Sequence, residues 1–129
     1  MTETIISFET AKLAKEEGFD WESSGLYDEK CILGINHHDY RRLFTNTKED
    51  TYNIAAPTQS LLQKWLREVH NIEIIVHPKE HSSLGFMYVV DVFFIDQLNN
   101  ISYSGVYSLY KTYEEALETG LQEAIKLIK

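Results

Sequence analysis

The chain has 129 residues, of which 43% are apolar and 25% charged, and its formal net charge is −8. This length suits one compact domain, and the composition excludes disordered, collagen-like and coiled-coil proteins. An acidic surface repels phosphate, so a nucleic-acid partner is disfavoured. The longest apolar stretch, residues 86–95, is interrupted by Asp91 and is far shorter than the roughly 20 residues that span a bilayer.

The N-terminus and the cysteine content indicate the cellular compartment. The N-terminal sequence MTETIISFET contains Glu3 and lacks the basic and long apolar regions of a secretory signal. Cys31 is the only cysteine, so an internal disulfide is excluded, and small apolar packing explains it better than nucleophilic chemistry. We therefore expect a cytoplasmic protein with no membrane partner, and no sequence motif predicts a cofactor.

Residues 1–56 predict one helix followed by an irregular segment. Ser7 precedes a stretch in which Phe8, Ala11 and Ala14 share a helical face, and Gly18 stands where a glycine commonly ends a helix. Between residues 20 and 55, Gly, Ser, Asn and Asp repeatedly interrupt the apolar pattern. This segment is expected to be irregular, with room for two short strands.

The second predicted helix spans about Thr58 to His70. Pro57 suits a first helical turn, and the apolar residues that follow it recur at spacings of one, three and four. Residues 72–77 then alternate as in a strand, and Pro78 is expected to end it.

Gly85 is expected to open a strand that is apolar on both faces, since nearly every residue from 86 to 95 is apolar. Such a strand should be central in its sheet and covered on both sides. Turn-forming residues 96–100 lead into a half-exposed strand over residues 101–109, which predicts a hairpin. Thr112 and Glu115 form a capping box before an amphipathic helix that runs to about residue 128.

Together these elements predict a single α+β domain over residues 1–129. Its core, residues 57–129, has the order helix, three strands, helix. The simplest arrangement is a three-stranded antiparallel sheet with both helices packed on one face. Residues 1–56 add the N-terminal helix and the irregular segment.

The opposite face of this sheet is a candidate interaction surface. Uncovered, it would expose four apolar side chains of the central strand, namely Met87, Val89, Phe93 and Ile95. Monomers rarely tolerate such a patch, so either residues 1–56 or a second copy of the chain is expected to cover it. A homodimer is therefore one predicted assembly, with an unidentified protein as the other partner. Three tyrosines near the hairpin add rings of the kind enriched at interfaces: Tyr103, Tyr107 and Tyr110.

Asp91 is the one acidic residue within the apolar strand. An unpaired carboxylate there would have a raised pKa and could act as a general acid. The alternative, which we favour, is that Asp91 points to the less covered face and accepts hydrogen bonds from serine or tyrosine hydroxyls of the adjacent strand.

Histidines supply a candidate metal site. His77 and His81 are separated by a short spacing, and His37 and His38 offer further imidazoles. Pro78 is expected to place the first pair in a loop, where spacing predicts no geometry, so the two clusters would have to meet in space. Solvated loop histidines are the simpler interpretation.

The basic residues are concentrated in the middle of the chain. Four of them, with aromatic side chains nearby, could bind single-stranded nucleic acid: Arg41, Arg42, Lys64 and Arg67. An ordinary loop and a solvated helix face are the alternative, which the negative net charge favours.

Two segments resemble a known group of proteins. APTQSLLQKWLRE, residues 56–68, and KTYEEALETGLQEAIKLI, residues 111–128, are similar to segments of small uncharacterised proteins encoded by phages, prophages and mobile elements of Bacteroidetes. The resemblance implies a mobile-element origin and supplies no catalytic or binding residue.

The sequence therefore predicts a phage-related accessory protein that acts as a non-catalytic protein-interaction module. The alternatives are a nucleic-acid accessory factor that uses the four basic residues and a metal-dependent hydrolase that uses the four histidines. A contact module needs an exposed apolar patch, a nucleic-acid factor needs a positive groove, and a hydrolase needs imidazoles within metal distance.

Overall fold

The structure is a computed structural model that describes residues 3–28, 30, 33–35, 44–47, 53–96 and 98–128. These ranges contain three helices and six strands, divided between two compact units, residues 1–65 and 66–129. The elements in chain order are α1 (Phe8–Glu16), β1 (Gly25–Tyr27), β2 (Leu33–Ile35), β3 (Ile54–Ala56), α2 (Gln59–His70), β4 (Ile72–His81), β5 (Gly85–Ile95), β6 (Ile101–Tyr110) and α3 (Tyr113–Lys126). The mixed α and β class is confirmed, and that both units form one domain stays a prediction. No helix within these ranges has the length and apolar character needed to cross a membrane.

The first unit contains an antiparallel sheet in the order β2-β1-β3. The predicted arrangement with one three-stranded sheet is therefore only part of the fold, because the segment predicted to be irregular, with room for two short strands, contributes to a second sheet. A Cβ on Gly25 of β1 would lie 2.7 Å from the carbonyl oxygen of Ala56 in β3, so the approach of these two strands requires glycine. The cysteine, Cys31, lies outside the described residues.

Helix α1 has the predicted ends. The side-chain oxygen of Ser7 accepts a hydrogen bond from the backbone N–H of Thr10, which caps the helix. Gly18 follows the helix with a φ of 90°, a conformation that favours glycine. Ala11 and Ala14 are fully buried, and α1 packs against β3.

Helix α2 confirms the second predicted helix. Its N-terminus is capped by Thr58, whose hydroxyl oxygen accepts the N–H of Leu61, so Pro57 precedes the cap instead of lying in the first turn. The helix ends at His70, and the next residue, Asn71, has a φ of 57° and leads directly into β4. The boundary between the two compact units, after Trp65, falls inside this helix.

The second unit contains the predicted three-stranded antiparallel sheet, with β5 in the centre of the order β4-β5-β6. Strand β4 pairs with β5 without interruption, from Ile72 opposite Phe94 to His81 opposite Gly85. The expectation that Pro78 ends the strand is therefore wrong. An edge strand tolerates proline because one side of its backbone makes no ladder hydrogen bonds.

A tight turn joins β5 to β6, as the sequence predicts. Oδ1 of Asp96 accepts hydrogen bonds from the backbone N–H groups of Leu98 and Asn100 at 2.9 and 3.0 Å, and Oδ2 accepts one from the Ser102 hydroxyl at 3.0 Å. The Asn100 and Ser102 hydrogen bonds, with a smaller contribution from Leu98, outweigh desolvation and lower the pKa of Asp96. An ionised Asp96 therefore holds this turn.

Helix α3 covers one face of the second sheet. The Thr112 side chain accepts the N–H of Glu115, which confirms the predicted cap, and the helix contacts all three strands. A Cβ on Gly120 would lie 2.6 Å from Cγ2 of Val90 and 2.9 Å from Cγ2 of Ile74. Glycine at this position therefore sets the short distance between helix and sheet.

Candidate interaction surface

The second face of the β4-β5-β6 sheet carries the candidate site. Side chains alternate along a strand, so the buried residues Ile72, Ile74, Val90 and Val92 share the face on which α3 packs. We call the opposite face the Asp91 face. It carries Glu73, Ile75, His77, Lys79 and His81 from β4, Met87, Val89, Asp91, Phe93 and Ile95 from β5, and Ile101, Tyr103 and Gly105 from β6.

On the Asp91 face, the side chains of β5 become more exposed from Met87 to Ile95. Met87 is 7% exposed, Val89 and Phe93 are half-buried, and Ile95 is 50% exposed. Within one chain, the expected coverage of both faces of β5 is therefore found at the Met87 end and not at the Ile95 end. Coverage of the Ile95 end by a second copy of the chain stays a prediction.

The exposed apolar side chains come from all three strands. Ile75 is 44% exposed, Ile101 79% and Tyr103 51%. A shallow groove of about 240 Å³ lies at the Ile95 end of the sheet, and the side chains that line it include Phe93, Ile95, Ile101 and Arg67. This end of the Asp91 face is therefore an apolar surface open to solvent.

Three polar side chains, one from each strand, meet in the middle of this face. Nε2 of His77 donates a hydrogen bond to Oδ2 of Asp91 at 2.8 Å, and the Tyr103 hydroxyl donates one to Oδ1 at 2.7 Å. This confirms the favoured interpretation of Asp91 as an acceptor for a tyrosine of the adjacent strand. We call the three residues the polar cluster.

The polar cluster decides the charge of Asp91. Burial is the largest single influence and raises its pKa, but the hydrogen bonds from Tyr103 and His77 and the charge of His77 together outweigh it. The pKa of Asp91 is therefore below its usual value. An acid that is ionised at neutral pH cannot donate a proton, so the general-acid interpretation is not supported.

Tyr103 reaches Asp91 across a glycine. Gly105 faces Asp91 in the β5–β6 register, and the Tyr103 side chain lies over it: a Cβ on Gly105 would be 2.5 Å from the tyrosine hydroxyl. The ring also lies near Phe93, with 5.3 Å between the ring centroids. Gly105 therefore provides the space that the tyrosine ring occupies.

A second groove, of about 610 Å³, is lined in part by the polar cluster. Its lining combines polar and apolar side chains: His77, Pro78, Lys79, His81, Val89, Asp91, Tyr103, Ser108 and Leu109. Its volume falls in the range of roughly 300–1,000 Å³ that is usual for ligand pockets, but it is an open cleft.

The two described histidines of the candidate metal site, His77 and His81, do not converge. His77 and His81 share a strand, which separates them by about 13 Å along the sheet, and Nδ1 of His81 instead accepts the backbone N–H groups of Ser83 and Leu84 in the β4–β5 turn. No metal-ligating group of three or more side chains occurs in the part of the chain that is described. His37 and His38 lie outside it, so the four-histidine site stays a prediction.

Of the four basic residues of the candidate nucleic-acid surface, the structure describes two, Lys64 and Arg67. Arg67 lies 3.8 Å from Glu73, which offsets part of its charge, and Lys64 is exposed on α2. Arg41 and Arg42 lie outside the described residues. The nucleic-acid surface therefore stays a prediction.

His77 is the functional candidate that the sequence placed in the wrong context. Its contact with Asp91 is diagonal across two strands, because His77 faces Val89 in the register. The strand pattern in the sequence reaches His77, but the register that places His77 and Asp91 on one face is not readable from the chain.

Comparisons with protein-family models, with curated proteins and with solved structures give no match.

Proposed function

We propose that this chain is a non-catalytic protein-interaction module that binds its partner through the Asp91 face. The observation that carries the proposal is the exposure of Ile75, Ile95, Ile101 and Tyr103 on one face of one sheet. Soluble monomers rarely expose contiguous apolar side chains, and where they do, the patch commonly marks an interaction site.

The chemistry of the face supports a contact role. Interface centres are enriched in aromatic side chains, and a tyrosine supplies a large rigid ring with one polar end. Here the hydrogen bond to Asp91 and the packing on Phe93 hold Tyr103 in one orientation. A partner would therefore meet a surface whose side chains are already ordered, which lowers the entropy cost of binding.

Two further parts of the proposal rest on the sequence. The resemblance of residues 56–68 and 111–128 to phage and mobile-element proteins supports an accessory role in such an element. The proposal also retains α2 and α3 on one face of the sheet, which leaves the Asp91 face for the partner.

Site-specific photo-crosslinking in the cells that normally make the protein tests this function. A photoreactive phenylalanine analogue placed at Ile75 or Ile101 should give a discrete cross-linked species, because both side chains lie on the exposed face. The matched control is the same analogue at Lys126, an exposed residue in the last turn of α3. Smears or no product at both face positions, or the same product at Lys126, would contradict the proposal.

A further inference from the structure

Three aromatic rings form an exposed row near the β4–β5 turn, on the face of the second sheet where α3 packs. We call Phe86, Tyr88 and Tyr113 the aromatic row. The ring centroids of Phe86 and Tyr88 are 5.6 Å apart and those of Tyr88 and Tyr113 are 6.2 Å apart, and in both pairs the rings are nearly perpendicular. Phe86 is 63% exposed and Tyr113 42%, so the row lies open to solvent beside the start of α3.

Exposed glutamates lie near the aromatic row. Glu80 of β4 is directly opposite Phe86 in the register, so the two side chains leave the sheet on the same face. Residues 114–115, both glutamates, lie in the first turn of α3. Of the lysines nearby in the chain, Lys79 belongs to the Asp91 face and Lys111 precedes α3. The carboxylates near the row therefore outnumber the ammonium groups.

We propose that the aromatic row binds an arginine-rich segment of a partner protein. A guanidinium group is attracted to the face of an aromatic ring, and its N–H groups can also donate to a carboxylate such as that of Glu80. A quaternary ammonium group has no N–H to donate, so it would use the rings but not the glutamates. A second copy of the chain is disfavoured here, because it would bring like charges together at a net charge of −8 per chain.

The spacing of the aromatic row fits an extended peptide. Alternate residues of an extended chain project to the same side and are roughly 6.5 Å apart, close to the 5.6 and 6.2 Å between neighbouring ring centroids. Arginines at every second position can therefore each reach a ring. The rings already contact one another edge to face, so binding does not have to order them first.

Fluorescence anisotropy tests the proposal, with the full chain titrated into a labelled peptide in which arginine alternates with glycine. The peptide should bind, and added salt should weaken binding because exposed charges are screened. The same peptide with lysine in place of arginine should bind more weakly, since an ammonium group lacks the planar fork that stacks on a ring and pairs with a carboxylate. With glutamine in place of arginine, binding should be lost.

Variants of the chain separate ring contacts from general charge attraction. Phe86→Leu keeps the net charge and an apolar side chain, and should weaken binding by roughly two- to fivefold, the size usual for one exposed cation–π contact. Glu80→Gln should weaken binding and reduce its dependence on salt. Tyr103→Leu is the matched control, because it removes a ring that is 51% exposed on the Asp91 face, and it should bind like the wild type.

Three results would each overturn the proposal: no binding of the arginine peptide, equal binding of the glutamine peptide, and equal binding by Phe86→Leu and the wild type. A dimer of the wild type in sedimentation velocity that Phe86→Leu abolishes would assign the aromatic row to a second copy, and would overturn it as well. The aromatic row and the Asp91 face lie on opposite faces of one sheet. These results therefore leave the proposed function to be decided by the cross-links from Ile75 and Ile101.

Discussion

Tyr103 can reach Asp91 because the residue that faces the carboxylate on β6 has no side chain. The tyrosine ring occupies the space above Gly105, and its hydroxyl lies 2.7 Å from the carboxylate. A glycine within a strand usually weakens it, since no side chain contributes to packing. Here the neighbouring ring covers the glycine, as aromatic residues do when they compensate for a strand glycine.

The substitution Gly105→Ala should therefore act on Asp91 through Tyr103. A methyl group at residue 105 displaces the ring, and loss of the hydroxyl donor should raise the pKa of Asp91 toward its usual value. Tyr103→Phe should have the same effect, with a loss of about 1 kcal/mol of stability for the lost hydrogen bond. Titration of the Asp91 side-chain carboxyl by NMR measures the change.

Two further variants test whether the change in the pKa of Asp91 comes from loss of the Tyr103 donor. The double variant should shift the pKa of Asp91 no further than Tyr103→Phe alone, because both changes remove the same donor. Gly34→Ala, where the nearest atom to a new Cβ is 3.8 Å away, should leave the titration unchanged. An unaltered pKa in Gly105→Ala would refute the role assigned to Gly105.

At this scale the sequence predicted the role of Asp91 but not its full set of partners. A carboxylate within an apolar strand needs donors, and hydroxyl groups on the next strand could be foreseen. The second donor, His77, makes a diagonal contact that only the register between β4 and β5 determines.

At the scale of the elements, the packing of α3 on the sheet depends on one residue, Gly120. Gly120 lies in the interior of the helix, where alanine would ordinarily favour helix formation by up to about 1 kcal/mol. The space for a methyl group is taken by Val90 and Ile74 of the sheet. Both are β-branched residues with little rotameric freedom, so neither can move aside easily.

Gly120→Ala should therefore destabilise the protein by roughly 1–3 kcal/mol, because overpacking outweighs the gain in helix propensity. Chemical denaturation followed by circular dichroism measures this change. Gly34→Ala again provides the comparison, since it makes the same substitution with ordinary contact distances. A Gly120→Ala protein as stable as the wild type would contradict this prediction, because α3 could then move away from the sheet without loss of stability.

The sequence placed the long elements, and it allowed two short strands between residues 20 and 55 without placing them, for a physical reason. Helices α2 and α3 and strand β5 span enough residues for an apolar period to be visible. Strands β1, β2 and β3 have three residues each, so alternation could not identify them. Their pairing is decided by contacts such as that of Gly25 with Ala56, which join residues far apart in the chain.

For the whole molecule, two carboxylates among the described residues, those of Asp91 and Asp96, predict sensitivity to acid. The pKa of Asp91, despite its burial, and that of Asp96 are lowered in the folded state. Each group therefore contributes stability that is present above the unfolded-state pKa of about 3.9 and is lost as the pH falls through the folded-state value. Thermal unfolding should accordingly shift to lower temperature below about pH 4.

Variants separate this effect from general acid unfolding. In Asp91→Asn and Asp96→Asn the fall in melting temperature between neutral and acid pH should be smaller than in the wild type, because the titrating group is gone. The exposed residue Asp20 gives the control substitution Asp20→Asn. Identical pH profiles for wild type and both variants would contradict the prediction.

The position of the unit boundary within α2 affects any dissection of this chain. Most pairs of compact units are connected by a flexible linker, which can be cut without damage to either side. Here a cut after Trp65 would divide a helix of 12 residues, leaving each fragment with about two turns or fewer. Helices that short are unstable in water by themselves, so separately expressed halves would each carry a frayed terminus in place of an ordered one.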